Sequence, residues 1–149
     1  MVAYSFNPRF ELPIVTLRKT GTIRAHGRRR HARPGERLQL YIGMRTRSCR
    51  LLATAECQAS DRLRVSFQTP RVIVGEIPDE MALDDINHCA DFDAFAQADG
   101  FADFEDMARF WWDLHRARAF DHLWIRWQPA SVLSPALPVP FAKGSDPWP

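Results

Sequence analysis

Apolar and polar residues alternate through much of the chain, which predicts β-strands. The alternating segments are residues 38–42, 49–57, 62–68 and 120–127, and a β-branched run occupies residues 72–74. Short strands in succession favour a small barrel or a curled sheet, here within an α+β fold. We expect the interior of the sheet to contain Leu38, Leu40, Ile42, Leu51, Ala53, Val65, Phe67, Leu123 and Ile125.

A helical period appears between the last two predicted strands. Asp103 is a suitable N-cap, and apolar residues follow at helical spacing, which predicts a helix from Asp103 to Arg118. A further short helix or two is expected within residues 84–98, before Gly100. Residues 9–17 are predicted as a short helix or an irregular lead-in. The helices should pack on the sheet.

The C-terminal segment differs in character. Residues 129–149 contain six of the eleven prolines and no apolar period, so we predict an extended or disordered tail after a single domain over residues 1–128. A chain of 149 residues with 46% hydrophobic residues fits one domain. No apolar run reaches the roughly 20 residues that span a bilayer, so a cytoplasmic protein without membrane contact is expected.

The cysteines do not form a recognisable framework. Cys49, Cys57 and Cys89 are odd in number and contain no CxxC pair, which argues against a secreted disulfide scaffold. Cys49 and Cys57 are expected as small core residues of one strand. The scattered histidines, with Cys89, have no metal-ligand spacing. We therefore predict no metal and no cofactor.

Charge is distributed unevenly along the chain, although the net charge is only +2. Residues 18–50 contain eleven basic side chains and one acidic side chain, a balance of +10. Residues 79–121 contain twelve acidic and three basic side chains, a balance of −9. The two halves could attract each other, but the dense arginines also predict a positive surface that holds phosphates.

A candidate site begins at Lys19-Thr20-Gly21-Thr22-Ile23-Arg24. Of the 20 basic residues only Lys19 and Lys143 are lysine, and lysine, unlike arginine, can lose its proton when it is desolvated. A nearby hydroxyl, Thr20 or Thr22, could then act as a nucleophile or orient a water molecule. The alternative is a solvated lysine beside a turn, with threonines that favour a strand or bond to local backbone.

A cluster of arginines follows this segment. Arg28, Arg29, Arg30 and Arg33 lie in one stretch with His26 and His31, and no acidic residue occurs between residues 25 and 35. Guanidinium groups bind phosphates in a forked geometry and stack on bases. The cluster therefore predicts contacts with an RNA backbone, and a solvated charge run is the alternative.

The motif Lys19-Thr20-x-Thr22-Ile23-Arg24 resembles the ASCH domain family. The similarity continues through Pro34-Gly35-Glu36 and Gly43-Met44-Arg45-Thr46 to about Trp127. The Gly43–Thr46 segment resembles the one found in ASCH domains of phage and prophage proteins. The resemblance implies a PUA-like β-barrel with helices packed on it, and binding of RNA or modified nucleosides in a groove beside Arg24. Tyr41 and Arg45 are implied groove residues.

One branch of that family hydrolyses the acetyl amide of acetylcytidine with a lysine, a threonine and a glutamate. The first two match Lys19 and Thr22, and the acidic residue in the third place is Asp99, one methylene shorter than glutamate. In the mechanism that we expect, Lys19 accepts the proton of Thr22, Thr22 attacks the carbonyl, and Asp99 acts on the leaving amine.

Three functions therefore compete. The first is an RNA- or nucleoside-binding module that uses Thr20, Arg24, Arg28, Arg29, Arg30, Arg33, Tyr41 and Arg45. The second is an enzyme, either an amidohydrolase or a ribonuclease. The third is a protein-interaction module, which would be favoured if the arginine cluster were folded against the acidic helices.

Overall fold

A computed structural model describes residues 1–75 and 91–134 of the chain. They form a small single α+β domain with one mixed sheet of six strands and three helices. The strands are β1 (Val2–Phe6), β2 (Gly21–Arg24), β3 (Arg37–Ile42), β4 (Arg50–Ser66), β5 (Arg71–Val74) and β6 (Ala119–Trp127). Their order is β1-β3-β4-β6-β2, and β5 pairs with β4. Among the strand pairs of the described residues, only β1 and β3 run parallel.

Strand β4 organises the sheet because it is long enough to pair with three others. Its first half pairs with β3, and its second half lies between β5 and β6. Register shifts interrupt the pairing at Leu52, opposite Leu40 and Tyr41, and at Gln58, opposite β6. Such bulges bend a strand and increase its twist, which lets the two halves face different partners.

The helices are α1 (Glu11–Val15), α2 (Phe92–Ala98) and α3 (Phe104–His115), and a 3₁₀ turn at Pro8–Phe10 precedes α1. The Asp103 side chain accepts a hydrogen bond from the Asp106 backbone N–H, as predicted for the N-cap of α3. Met107 and Trp111 are the buried residues of this helix. It ends three residues before the predicted Arg118 because Arg116 adopts a left-handed conformation, with φ at 51°.

The α+β class and the single small domain are confirmed, and the sheet is not closed. Strands β1 and β2 were not predicted, and they form the two ends of the strand order. The two segments predicted at residues 49–57 and 62–68 are one strand. No glycine or proline lies between them to end it.

The core confirms most of the predicted interior residues, although Phe67 and Leu123 are only partly buried against it. Leu38, Leu40 and Ile125 are fully buried, but Leu52 takes the place expected for Leu51 because of the first bulge. Cys57 is buried, whereas the prediction of a core position for Cys49 is wrong. Cys49 is exposed because it precedes the start of β4. Cys89 lies outside the described residues.

Residues 129–134, beyond the predicted domain, contribute hydrogen bonds to the sheet. Leu133 exchanges two backbone hydrogen bonds with Thr54, and the Ser131 hydroxyl accepts one from Glu56. This segment supplies hydrogen bonds to the first half of β4 on the edge opposite β3. Helix α2 lies within residues 84–98, where a short helix or two was predicted. Residues 84–90 of that segment and the rest of the predicted tail, residues 135–149, lie outside the described residues.

Candidate functional site

Two adjoining cavities lie between the edge strands β1 and β2. The inner cavity, about 210 Å³, has aromatic walls from Phe6, Phe10, Phe101, Phe110 and Trp111, and Lys19, Thr22 and Asp99 also line it. The arginine pocket, about 390 Å³, is lined by Arg24, Arg29, Arg30, Arg45, His31 and the start of β1. Ser5 and Arg24 belong to both linings. A single groove therefore runs across Arg24.

Lys19 and Asp99 form a buried ion pair in the inner cavity. The Lys19 Nζ donates hydrogen bonds to the Asp99 backbone oxygen at 2.6 Å and to its Oδ1 at 3.0 Å. The two residues are only 2% and 3% exposed. Backbone hydrogen bonds from Lys19 to Pro13 and from Thr20 to Ala98 hold the lysine segment between α1 and the end of α2. The lysine thus meets the carbonyl end of a helix, where a cation is favourable.

Burial changes the proton affinities of this pair. Desolvation lowers the pKa of Lys19, against the opposing effect of the Asp99 charge. Desolvation likewise raises the pKa of Asp99, against the effect of Lys19. The Phe10 ring centroid lies 4.5 Å from Nζ and adds to the low-polarity surroundings. The two pKa values are therefore closer together than in water.

Gly100 makes the close approach of these residues possible. Its φ is +94°, a backbone conformation that side chains rarely allow. A Cβ at this position would lie 3.0 Å from Lys19 Cδ and 3.0 Å from Phe10 Cδ1. Glycine is therefore required both by the backbone and by the packing of Lys19.

Arg24 is fixed where the two cavities meet. Its Nε donates to Thr22 Oγ1 at 3.0 Å, and its Nη2 donates to the Ser5 backbone oxygen at 2.7 Å. The guanidinium also stacks near the rings of Tyr4 and Phe6, at 5.0 and 4.9 Å from their centroids. A guanidinium group has five N–H donors. Two hydrogen bonds therefore leave Arg24 with donors for a ligand.

Hydrogen bonds that involve His31 and the Glu36 carboxylate anchor the loop that carries the arginine cluster. The Tyr4 hydroxyl accepts from the Ala32 N–H at 3.1 Å and bonds His31 Nδ1 at 3.1 Å. His31 Nε2 lies 2.9 Å from the Ala25 carbonyl oxygen and must therefore carry a proton. Glu36 binds Arg30 through both carboxylate oxygens. Hydrogen bonds from Arg30 and from the Arg33 N–H lower the pKa of Glu36 to about 2.

The structure brings together only part of the predicted site. Lys19, Thr22 and Asp99 line one cavity, and Arg24, Arg29, Arg30 and Arg45 line the other. The remaining predicted residues, Thr20, Arg28, Arg33 and Tyr41, line neither of these cavities. Arg28 and Arg33 are exposed, and the Thr20 backbone bonds α2 and β6.

Several residues that line the two cavities were not predicted from the sequence. The alternation of Val2, Tyr4 and Phe6 with smaller residues was a detectable strand pattern, and β1 supplies one wall of both cavities. His115, at the end of α3, lies at the inner cavity without any sequence motif that connects it to Lys19. Such a contact depends on tertiary packing.

No family model matches the chain, and comparison with curated proteins and solved structures gives no match either. The ASCH resemblance therefore rests on the sequence motif. Within residues 1–75 and 91–134, no group of histidine, cysteine or acidic side chains is arranged to hold a metal ion. No helix in the same residues is long and apolar enough to cross a bilayer.

Proposed function

We propose that the chain binds RNA or a modified nucleoside in the groove that crosses Arg24, as a PUA-like protein of the ASCH type. The observation that carries this proposal is the junction of an aromatic cavity with a cationic pocket. Aromatic rings accept a base by stacking, and arginines bind phosphates. The inner cavity is smaller than the roughly 300–1,000 Å³ of most ligand sites, so it suits a base-sized group.

The alternative of a protein-interaction module has less support. A protein-interaction function would be favoured if the arginine cluster packed against the acidic helices. Among the described residues, Arg30 instead pairs with Glu36 inside its own loop, and Arg28, Arg29 and Arg33 are exposed. These three exposed arginines therefore remain available to an anionic ligand.

The binding proposal is tested with a short fluorescently labelled single-stranded RNA. Affinity should fall steeply as salt rises from about 50 to 200 mM. Leu114 is exposed at the inner cavity, and Leu12 is exposed elsewhere, so Leu114→Glu and Leu12→Glu form a matched pair. Only Leu114→Glu should weaken RNA binding, because it places a negative charge at the cavity. Equal affinities of the two variants would contradict the location of the site.

A second candidate function is hydrolysis of an acyl amide on a cytidine-like nucleoside. It is favoured by the buried Lys19–Asp99 pair and by the Arg24 hydrogen bond to Thr22 Oγ1. Lys19, as a neutral amine, accepts the Thr22 proton while Oγ1 bonds to the amide carbonyl carbon. The C–N bond then breaks as Asp99 gives its proton to the leaving amine. Water hydrolyses the resulting threonine ester.

Acetylcytidine turnover tests this second function. Lys19→Arg keeps the positive charge but cannot accept a proton, so it should abolish turnover. Asp99→Glu should preserve or increase turnover, because it restores the longer acid of the related hydrolases. Turnover that survives Lys19→Arg would exclude the lysine as the base. If the wild-type chain is inactive and binds RNA, only the binding function stands.

A further inference from the structure

The arginines of the chain differ in whether a carboxylate neutralises them. Arg9 pairs with Asp106 and Arg50 with Glu11 outside the groove, and Arg30 pairs with Glu36 at the arginine pocket. Arg24, Arg29 and Arg45, which line the arginine pocket, form no ion pair among the described residues. None of the described residues that line the pocket is acidic. The three guanidinium groups are thus left uncompensated around one cavity.

We propose that the arginine pocket is a phosphate subsite, so that the ligand of the groove is a nucleotide whose base occupies the inner cavity. This inference rests on the proposed binding function and specifies its ligand. It separates the pocket-lining Arg29 and Arg45 from their neighbours Arg28 and Arg47, which carry the same charge but do not line the pocket.

Arg24 is the residue that connects the two parts of the ligand. The contacts with Thr22, Ser5 and the two aromatic rings fix its guanidinium before any ligand arrives. A fixed donor loses little side-chain freedom on binding, which improves affinity for a phosphate at that point. Arg29 lies in the loop that follows β2, and Arg45 lies in the loop that follows β3. Both line the arginine pocket.

A phosphate fits this arrangement better than a carboxylate. Phosphate monoesters carry up to two negative charges and three terminal oxygens, and guanidinium groups bind them in pairs of parallel hydrogen bonds. Three unpaired arginines match that number of oxygens. The volume of the pocket, about 390 Å³, also leaves room for the ribose that links the phosphate to the base.

The test compares cytidine, cytidine 5′-monophosphate and cytidine 3′-monophosphate as competitors of the labelled RNA. One phosphate monoester should improve competition about tenfold or more, since charge-assisted hydrogen bonds are among the strongest. The better of the two monophosphates shows which side of the ribose faces the arginine pocket. Equal improvement by both indicates that the pocket takes either phosphate of a chain.

Two charge-matched double variants give the control. Arg29→Ala/Arg45→Ala should remove the advantage of the monophosphate over cytidine, and Arg28→Ala/Arg47→Ala should keep it. If RNA binds but nucleoside and nucleotides compete equally, or if both double variants behave alike, the phosphate subsite is wrong and the binding proposal survives. If the wild-type chain binds no RNA, the binding proposal itself fails.

Discussion

Lys19 in the inner cavity is 2% exposed and bound to Asp99, whereas Arg29 and Arg45 in the arginine pocket are exposed and form no ion pair within the described residues. The two cavities meet at Arg24, so the difference arises within one groove. A buried charge is costly unless a partner neutralises it, and removal of one partner exposes that cost. The exposed arginines of the arginine pocket remain hydrated, so they do not need a partner to avoid this cost. Changes to the buried Lys19–Asp99 pair should therefore affect folding, and changes in the arginine pocket should affect affinity.

The largest effect is expected from Lys19→Met. It leaves the Asp99 carboxylate buried without its cation, and such losses destabilise proteins by about 3–5 kcal/mol. The free energy of unfolding from urea titration measures this change. Lys19→Met/Asp99→Leu should recover most of the loss, because it removes both charges. A loss under about 1 kcal/mol for the single variant would match a surface ion pair and contradict the buried one.

Gly100→Ala should have the next largest effect. The positive φ alone costs a non-glycine residue roughly 1–2 kcal/mol, and the added Cβ would press on Lys19 and Phe10. Gly27 has no positive φ and open space around it, so Gly27→Ala is the control and should change stability by about 0.5 kcal/mol or less. Equal thermal unfolding of the two variants would mean that Lys19 does not need this close approach.

The smallest effect on stability is expected from protonation of Glu36, the carboxylate that pairs with Arg30 beside the arginine pocket. Its pKa of about 2 lies below the value of roughly 4.3 for a free glutamate. Its contribution to stability is therefore complete above the free value and is lost as pH falls toward 2. Titration of the Glu36 carboxyl by NMR checks this. A pKa near the free value would show that Arg30 is available to ligands as Arg29 is.

Local sequence patterns predicted much of the sheet and the capped helix α3, because periodicity and N-capping act over a few residues. They failed where distant residues decide the outcome. The bulge at Leu52 depends on pairing with β3, and it moved burial from Leu51 to its neighbour. The edge position of β1 depends on its parallel pairing with β3, which no local pattern encodes.

For the candidate site too, local patterns predicted some residues and tertiary structure decided the others. Lys19, Thr22 and Asp99 were predicted, and the structure brings Lys19 to 3.0 Å from Asp99 across 80 residues of chain. The sequence could not show which arginines line the pocket, because Arg28 and Arg29 are adjacent and have nearly the same sequence neighbours. Only the path of the loop directs Arg29, and not Arg28, to the pocket. Likewise, the pairing of Arg30 with Glu36 became visible only in three dimensions.

The salt dependence of RNA affinity is the sharpest test of a phosphate site in the arginine pocket, since it counts phosphate contacts. For single-stranded nucleic acid each contact contributes about 0.7 to the slope of log affinity against log salt. Arg29→Ala/Arg45→Ala removes two contacts and should flatten the slope by about 1.4. Arg28→Ala/Arg47→Ala should leave it nearly unchanged. Equal flattening by both double variants would show diffuse attraction to a basic surface and contradict a defined phosphate pocket.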